Sequence, residues 1–363
     1  MVDREISSNS ESLLGLLKLL RRRLVIPLRI LYLIFAVLML LFLGLVDWIG
    51  ERNLFTTFFL FLPAQIWFLP LGMFFGLAVL LFDWRLCGVI VATLVLFVFF
   101  YMDVELFGSK AGGGGKELVV MTYNRGQRSG SLRPFKQRHD PDILAMQEAR
   151  RRSGAYQRAE GYDDLTHVDE IGEFMLMSKY PITDKGLLEF EAQGKSQAVA
   201  AWFAVDFDGD PILLYNVHLP TPREQLKAMR RGSFLRGLMP GSEKSKSLMV
   251  FWKRQIELAE RLLAHIESQD RPVIVVGDFN TPDRGHIYRK IRRQLQDAHE
   301  KAGHGFGWTF PGRTRNPLTL FGPWLRIDHQ FASDAWRVLD CHAEKGRKSQ
   351  HLPVAAKYEL KGG

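Results

Sequence analysis

The chain changes character near Asp103, and this change limits what it can fold into. Before that point lie three uncharged apolar runs, Ile30–Val46, Leu54–Phe82 and Leu86–Met102. A helix needs roughly 20 apolar residues to cross a bilayer, with about 17 as the lower limit, so each run is long enough for one span. Residues 1–102 are therefore predicted to form a membrane domain with about three transmembrane helices, the second of which contains Pro63 and Pro70.

Basic residues are concentrated ahead of the first apolar run. Six Lys or Arg residues lie at or before Arg29, whereas the two short loops between the runs hold only Arg52 and Arg85. The positive-inside rule then places the N-terminus in the cytoplasm and, after three spans, the rest of the chain outside the plasma membrane. A re-entrant hairpin at Leu54–Phe82 would instead return the rest of the chain to the cytoplasm.

The part after Met102 has an ordinary soluble composition. Residues 103–116, which include four consecutive glycines, are predicted to be a flexible linker, and a second domain covers residues 117–363. Most of the formal net charge of +9 falls on this part, which suits nucleic acid or phospholipid head groups as partners. A solvated surface with a slight imbalance explains the charge equally well. The two cysteines, Cys87 and Cys341, exclude a disulfide framework and a thiolate zinc site.

Strand-like runs outnumber helical patterns in the second domain. The predicted strands are Leu118–Tyr123, Phe174–Ser178, Ala198–Phe207, Ile212–Val217, Val273–Gly277 and Ile327–Ala332. The predicted helices are Arg133–His139, Ser247–Ser268 and His286–Asp297. Because few of these elements alternate strictly, the pattern favours an α+β layered sandwich over a doubly wound sheet.

Short polar motifs follow several of these apolar runs. In chain order they are Met121-Thr122-Tyr123-Asn124, Gln147-Glu148, Asn216-Val217-His218-Leu219, Gly277-Asp278-Phe279-Asn280, Arg326-Ile327-Asp328-His329 and Gln350-His351-Leu352-Pro353. Carboxylates and amides supply the hard oxygen ligands that Mg²⁺ or Mn²⁺ prefers, and histidines move protons near neutral pH. The set indicates a metal-assisted phosphoester hydrolase.

Each motif alone also has an ordinary structural explanation. Asn124 can cap a turn after a strand, Glu148 can be a surface charge at a strand end, and His218 can be a buried structural histidine. The most specific motif contains Asp278 and Asn280, because two ligand-type side chains two residues apart at a strand end point the same way.

In combination, the motifs from Glu117 to about Glu359 resemble the endonuclease/exonuclease/phosphatase superfamily. That superfamily includes pancreatic-type deoxyribonucleases, abasic-site endonucleases, neutral sphingomyelinases and inositol-polyphosphate phosphatases. The resemblance implies a four-layer α/β sandwich, in which two β-sheets lie face to face with helices outside. It also implies hydrolysis of a phosphoester by water with Mg²⁺ or Mn²⁺ as the cofactor.

The resemblance further implies the metal ligands. Asn124 and Glu148 match the metal-binding pair, with Glu148 as the principal ligand. Gln350 stands where the family usually has an aspartate that is a candidate ligand for a second metal. It keeps an oxygen ligand but loses the charge, which is consistent with a one-metal mechanism, a weaker second ion or reduced activity.

The remaining site residues are implied in the same way. Asp278 and Asn280 match the pair that contacts the attacking water and the phosphate, and His218 matches a histidine that contacts the phosphate or serves the leaving group. Asp328 matches the carboxylate that orients the last histidine, His351. A histidine held by a carboxylate has a fixed tautomer and orientation, so it is able to take a proton from water.

Two functional hypotheses follow from the sequence. The first is a membrane-anchored phosphodiesterase acting on nucleic acid or on a phospholipid head group, and tethering favours the lipid. The second is a catalytically weakened binding module on a membrane scaffold, for which Gln350 is the supporting residue. Basic and apolar residues interleaved over residues 220–254 fit a nucleic-acid backbone, a membrane surface, or a loop and helix whose apolar side chains pack inward.

Overall fold

The computed structural model describes residues 2–106, 108–126, 131–221, 241–312, 322–345 and 349–362, and for residues 2–20 and 22 it describes the backbone alone. The helices are α1 Val2–Ile49, α2 Leu54–Leu60, α3 Phe68–Leu80, α4 Trp84–Leu96, α5 Arg133–His139, α6 Ser153–Gln157, α7 Glu243–Glu267, α8 His286–Arg292 and α9 Ala298–Ala302. The strands are β1 Glu117–Asn124, β2 Ile143–Gln147, β3 His167–Ile171, β4 Phe174–Ser178, β5 Ile182–Ala192, β6 Lys195–Phe207, β7 Asp210–His218, β8 Val273–Asp278, β9 Gln296–Asp297, β10 Asp328–Ala332, β11 Trp336–Ala343 and β12 Val354–Leu360.

The chain divides into two compact units, and the first is the apolar one, made of residues 1–45 and 63–103. An apolar cluster within it joins α1 to α3 and α4 through Leu28, Tyr32, Leu71, Phe74, Ala78, Leu86, Cys87 and Ile90. Asp83 ends the turn between α3 and α4, and its two carboxylate oxygens accept hydrogen bonds from Arg29 at 2.7 and 2.6 Å. This bidentate pair satisfies a carboxylate that the surrounding apolar residues leave little exposed to water.

Two helices among the described residues are long and apolar enough to cross a membrane, Arg23–Arg52 and Trp84–Tyr101. A bent pair, Leu54–Leu60 with Ala64–Leu80, turns by 93° at its break and gives a third span if it is counted as one. The prediction of about three transmembrane helices therefore corresponds to two or three apolar helices, and their length and composition suggest a membrane anchor.

The second unit contains Val46–Leu62 as well as everything from Val104 onward. The buried carboxylate of Glu51 accepts hydrogen bonds from the Thr281 hydroxyl at 2.8 Å and from the backbone N–H groups of His286 and Ile287 at 2.7 and 3.3 Å. Glu51 thus caps α8, whose own N-cap residue is a glycine without a side chain. Residues 46–62 were predicted to lie in the membrane domain, and the structure makes them part of the second unit.

The second unit contains two six-stranded mixed sheets. The first sheet has the strand order β11-β12-β1-β2-β4-β3, and the second has the order β5-β6-β7-β8-β10-β9. Apolar side chains from both inner faces form one core, which includes Leu118 and Val120 of β1 and Ile212 and Leu214 of β7. The outer face of the second sheet packs against α7 and α8, and that of the first packs against α5. The predicted four-layer sandwich is confirmed.

Several element boundaries differ from the sequence prediction for physical reasons. The predicted helix His286–Asp297 ends at Arg292, because Gln296 and Asp297 pair with β10 and Asp297 then caps α9. The buried strand β2 and the strands β3, β5, β11 and β12 were not among the predicted strands. The segment predicted to be a flexible linker is hydrogen-bonded to the second unit, since the Glu359 carboxylate accepts from the N–H groups of Gly113 and Gly115.

Replacing Glu51 by alanine is expected to destabilise the second unit by about 3 kcal/mol, because three buried donors lose their acceptor. Denaturant unfolding of the full chain in detergent, followed by near-ultraviolet circular dichroism, measures this. The matched control is Glu243→Ala, which removes an exposed carboxylate paired with Lys246 and should change stability by less than about 0.5 kcal/mol. Equal effects of the two substitutions would contradict the structural role of Glu51.

Candidate active site

The register of three neighbouring strands places carboxylates and an imidazole side by side. Asp278 of β8 pairs with His218 on β7 and with Asp328 on β10. Side chains alternate between the two faces of a strand, so His218 follows Leu214 and Asn216 on the inner face that the two sheets share. The three polar side chains therefore meet where the apolar core between the sheets ends.

Gly277 permits the close strand contact that precedes Asp278. A Cβ atom at this position would lie 2.0 Å from the Val217 carbonyl oxygen, and the backbone φ of Gly277 is +141°. Only glycine tolerates both conditions without a shift of the chain. The Gly-Asp-Phe-Asn motif is thus partly a packing requirement of the β7–β8 pair.

Asp278 is the centre of the polar group. Its Oδ2 accepts a hydrogen bond from Asn124 Nδ2 at 2.8 Å and lies 3.7 Å from both His218 Nε2 and His351 Nδ1. Its Oδ1 accepts from the backbone N–H of Asn280 at 2.9 Å. The Asn280 amide is held in turn by the Leu219 carbonyl oxygen, which accepts from Nδ2 at 2.9 Å.

His351 and Asp328 form a buried pair. His351 Nδ1 lies 3.1 Å from both carboxylate oxygens of Asp328. Burial alone would lower the pKa of His351, but the negative charges of Asp328 and Asp278 outweigh it and raise this pKa to about 9. Burial and the neighbouring Asp278 raise the pKa of Asp328, against the opposing effect of His351.

Glu173 is a site residue that the sequence did not reveal. Its Oε1 lies 2.9 Å from His218 Nδ1, so this histidine is also held by a carboxylate. Burial opposes a charge on His218, but the hydrogen bond with Glu173 and the nearby carboxylates raise its pKa. Glu173 reaches the site because β4 runs antiparallel to β2, which brings the start of β4 beside the end of β2.

The first sheet contributes Asn124 and Glu148. Asn124 ends β1 on the inner face, and its Nδ2 lies 3.5 Å from Glu148 Oε1. Its Oδ1 accepts from the N–H of Gly126 at 2.9 Å, so the amide nitrogen faces the carboxylates. Glu148 follows β2 directly and has a φ of +53°, which turns the chain at this point.

Gln350 takes a different position from the other predicted site residues. Its side chain is exposed, and its backbone oxygen accepts from the N–H of Gly312 at 2.7 Å. The amide oxygen would lie 3.8 Å from a Cβ atom at Gly126, so it stands near the loop that holds Asn124. The structure brings the other seven predicted residues together at the ends of the two sheets.

The donor set fits a divalent cation. Asp278, Asp328 and His351, here called the Asp–Asp–His cluster, are buried and each offers one ligand atom within 4.8 Å of the others. Glu148 adds a third carboxylate, and its charge contributes to the raised pKa of both histidines. Buried carboxylates this close repel one another, and a hard cation with oxygen preference relieves that repulsion.

The basic and apolar segment of residues 220–254 is only partly described, because residues 222–240 lie outside the described residues. In its described part, Leu248, Phe251 and Trp252 of α7 are buried, so these apolar side chains pack inward. Phe61 and Trp252 contact each other with ring centroids 5.4 Å apart.

The fold and this site together define a phosphoesterase of the two-sheet α/β-sandwich type. The sequence profile of the endonuclease/exonuclease/phosphatase family matches residues 131–351, which is more than half of the chain. The chain belongs to this family and is a hydrolase. No curated protein sequence matches the chain at a significant level.

Solved structures that the chain resembles include the following three. The endonuclease/exonuclease/phosphatase from Beutenbergia cavernae DSM 12333 is 17% identical with a TM-score of 0.46, covering 68% of this chain and 72% of that one. The human Nocturnin catalytic domain is 14% identical with a TM-score of 0.43, covering 68% and 95%. A Bacteroides thetaiotaomicron VPI-5482 mannosyl-6-phosphatase is 19% identical with a TM-score of 0.43, covering 68% and 100%. These similarities are too remote to indicate a substrate.

Saturating Mg²⁺ is expected to raise the thermal unfolding temperature of the full chain, because a ligand that binds the folded state stabilises it by about 2.7 kcal/mol at a hundredfold excess over Kd. Glu148→Gln and Asp278→Asn should remove most of this shift, since each deletes a negative charge from the site. Asp184→Asn, an exposed carboxylate on β5, is the control and should keep it. A shift that survives both site substitutions would place the cation elsewhere.

Proposed function

We propose that this protein is a membrane-anchored phosphodiesterase that uses a divalent metal ion, Mg²⁺ or Mn²⁺, to hydrolyse a phosphodiester. The observation that carries the proposal is the buried Asp–Asp–His cluster, set beside Glu148 and a second carboxylate-held histidine. A structural core does not need four carboxylates around two imidazoles, whereas in-line attack of water on phosphorus needs charge neutralisation and proton transfer in one place.

The chain's own residues divide the proton-transfer work. Asp328 holds Nδ1–H of His351, which directs His351 Nε2 to the attacking water. A cation held beside Asp278 would offset the negative charge that raises the pKa of His351, so that Nε2 is free to accept the proton of the water. Glu173 holds His218 in the same way, so His218 Nε2 is directed to a phosphate oxygen or the leaving group. Asn280, fixed by the Leu219 carbonyl group, presents its amide to the phosphate and the water.

The residues that would hold the cation are Glu148 and Asp278, with Asn124 beside them. Of the Asp–Asp–His cluster, only Asp278 is assigned to the cation in this proposal, and Asp328 and His351 are assigned to proton transfer. When bound, a divalent ion neutralises the phosphodiester, polarises the phosphoryl group and stabilises developing negative charge. The Asn124 amide nitrogen faces the carboxylates, whereas a cation binds the amide oxygen. The proposed role of Asn124 as a metal ligand therefore requires its side-chain amide to flip. Otherwise Asn124 serves to hold Asp278 in place.

The proposed substrate is the phosphodiester of a phospholipid head group. This rests on the apolar N-terminal helices, since a tethered enzyme meets membrane-borne substrates at high effective concentration. Nucleic acid carries the same phosphodiester chemistry and is the alternative that the assay below distinguishes.

The proposed location of the catalytic unit is the extracytoplasmic side of the plasma membrane. The apolar helices supply three crossings if the bent pair is counted as one span. Three crossings separate the N-terminus from the catalytic unit, and the positive-inside rule assigns the N-terminus to the cytoplasm.

Activity is tested with the full chain in detergent, supplied with Mg²⁺, Mn²⁺ or EDTA and with sphingomyelin, phosphoinositides, DNA, RNA and a chromogenic diester. Metal-dependent hydrolysis is expected on a phospholipid. His351→Ala should lower kcat/KM by about 10²- to 10⁴-fold, because it removes the proposed proton acceptor. Glu173→Gln should cost less, since it leaves His218 present but poorly oriented.

The control for this assay is His167→Ala, which replaces a histidine on β3 outside the site and should leave kcat/KM unchanged. Cleavage of DNA or RNA in place of lipid would support the proposed phosphodiesterase activity but would contradict the proposed lipid substrate in favour of nucleic acid. Mg²⁺ or Mn²⁺ binding without turnover on any substrate would favour the weakened binding module.

Topology is tested by cysteine labelling in spheroplasts with a membrane-impermeant maleimide. Cys87 and Cys341 are both buried, so the native background should be low. Glu243→Cys, at an exposed position of the second unit, should label in intact spheroplasts, whereas Ser8→Cys near the N-terminus should label only after permeabilisation. The reverse pattern would place the catalytic unit in the cytoplasm.

A further inference from the structure

A second group of metal-ligating side chains lies outside the site described above. Asp340 and His342 stand two residues apart on β11, which forms one edge of the first sheet. A bulge between Val338 and Asp340 shifts the alternation of this strand, so Cys341 takes the core side and its neighbours face outward. His304 joins them because Gly303 forms a bridge with Cys341.

The three side chains converge on one point. His304 Nε2 lies 2.7 Å from Asp340 Oδ1, and His342 Nε2 lies 2.9 Å from Asp340 Oδ2. The two imidazole rings stack with centroids 4.1 Å apart and planes 8° from parallel, which directs both Nε2 atoms to the same carboxylate. One donor atom from each residue lies within 4.8 Å of the other two.

We infer that His304, Asp340 and His342 form a binding site for a borderline transition metal such as Zn²⁺, distinct from the Asp–Asp–His cluster. Two imidazole nitrogens and one carboxylate oxygen are ligands that zinc accepts in tetrahedral coordination, with a water in the fourth position. The same set is a poor match for Mg²⁺, which prefers oxygen. The two sites therefore differ in the class of ion they select.

The surroundings support an ion at this place. The three side chains are each about one-third exposed, so an ion is able to enter from solvent. The Asp340 carboxylate lies between the two imidazoles, so an oxygen ligand stands beside both nitrogen ligands. A third imidazole, His139, has its ring centroid 5.1 Å from that of His342.

An ion at this site would also stabilise the position of Ser109 and Lys110, which follow the apolar unit in the chain. Ser109 Oγ lies 3.2 Å from Asp340 Oδ1 and 3.3 Å from His304 Nε2, and the N–H of Lys110 donates to the Leu339 carbonyl oxygen at 2.7 Å. Glu105 and Gly305 exchange two backbone hydrogen bonds. Metal binding is therefore expected to stabilise Ser109 and Lys110 against β11.

The experiment titrates Zn²⁺ into EDTA-treated, dialysed full-length protein in detergent, by isothermal calorimetry, with excess Mg²⁺ present to occupy the oxygen-rich site. One equivalent of Zn²⁺ is expected to bind. His342→Ala and Asp340→Asn should each weaken this binding at least tenfold, while His167→Ala leaves it unchanged. Asp340→Asn keeps the shape of the side chain, so its effect reports the lost charge.

A structural readout accompanies the titration. Zn²⁺ should slow proteolysis at Ser109 and Lys110 in the wild-type protein and not in His342→Ala, provided both have the same circular dichroism spectrum in EDTA. Equal Zn²⁺ uptake by the wild type, His342→Ala and Asp340→Asn would show that His304, Asp340 and His342 are a hydrogen-bonded group only. This result would overturn the inference without bearing on the phosphodiesterase proposal.

Discussion

Buried side-chain amides determine how the two sheets are placed against each other, and the active site depends on that placement. Asn216 Nδ2 donates to the carbonyl oxygens of Met146 and Met175 at 3.0 and 3.2 Å, across the gap between the sheets. Gln330 Nε2 donates to backbone oxygens of the first sheet at 3.1 and 2.8 Å. Apolar packing has no direction, whereas these hydrogen bonds do. His218 lies two residues beyond Asn216, and Asp328 lies two residues before Gln330. The side chains proposed to be catalytic therefore stand one layer above the amides that fix the sheets.

The residues of the site above this layer lower the stability of the folded state. Asp278 and Asp328 are fully buried and adjacent in register, and burial raises the pKa of Asp328 because its charge is disfavoured there. Glu148 and Asn280 have positive φ values of 53° and 47°, which cost of order 1–3 kcal/mol for residues with a side chain. The amide layer and the apolar core below it supply the stability that holds these groups in place. Electrostatic repulsion is concentrated at the residues proposed to bind metal and substrate, as expected where function opposes stability.

The sequence was sufficient to predict the parts of this arrangement that follow from strand alternation. An apolar strand ends at each of Asn124, His218 and Asp278, an even number of residues after side chains that face the core. Strand alternation therefore puts all three on the inner faces, where they converge once two facing sheets are assumed. Glu173 was not predictable, because it reaches His218 only through the antiparallel pairing of β2 with β4. Glu51 was hidden for a different reason. It lies between two apolar runs and looks like a loop charge beside a membrane span, whereas its partners on α8 are more than 200 residues away in sequence.

The two attachments of the catalytic unit bear on how substrate is chosen. The chain enters this unit at Val46–Leu62, leaves it, and returns through residues whose backbone is bonded to β11 and to Glu359. Phosphodiester chemistry is common to lipids and nucleic acids, so the catalytic groups alone cannot discriminate between them. An enzyme held at a membrane, as proposed for this protein, meets substrates in that membrane at a high effective concentration. Under that proposal, selectivity is expected to come as much from the membrane anchor as from the catalytic groups.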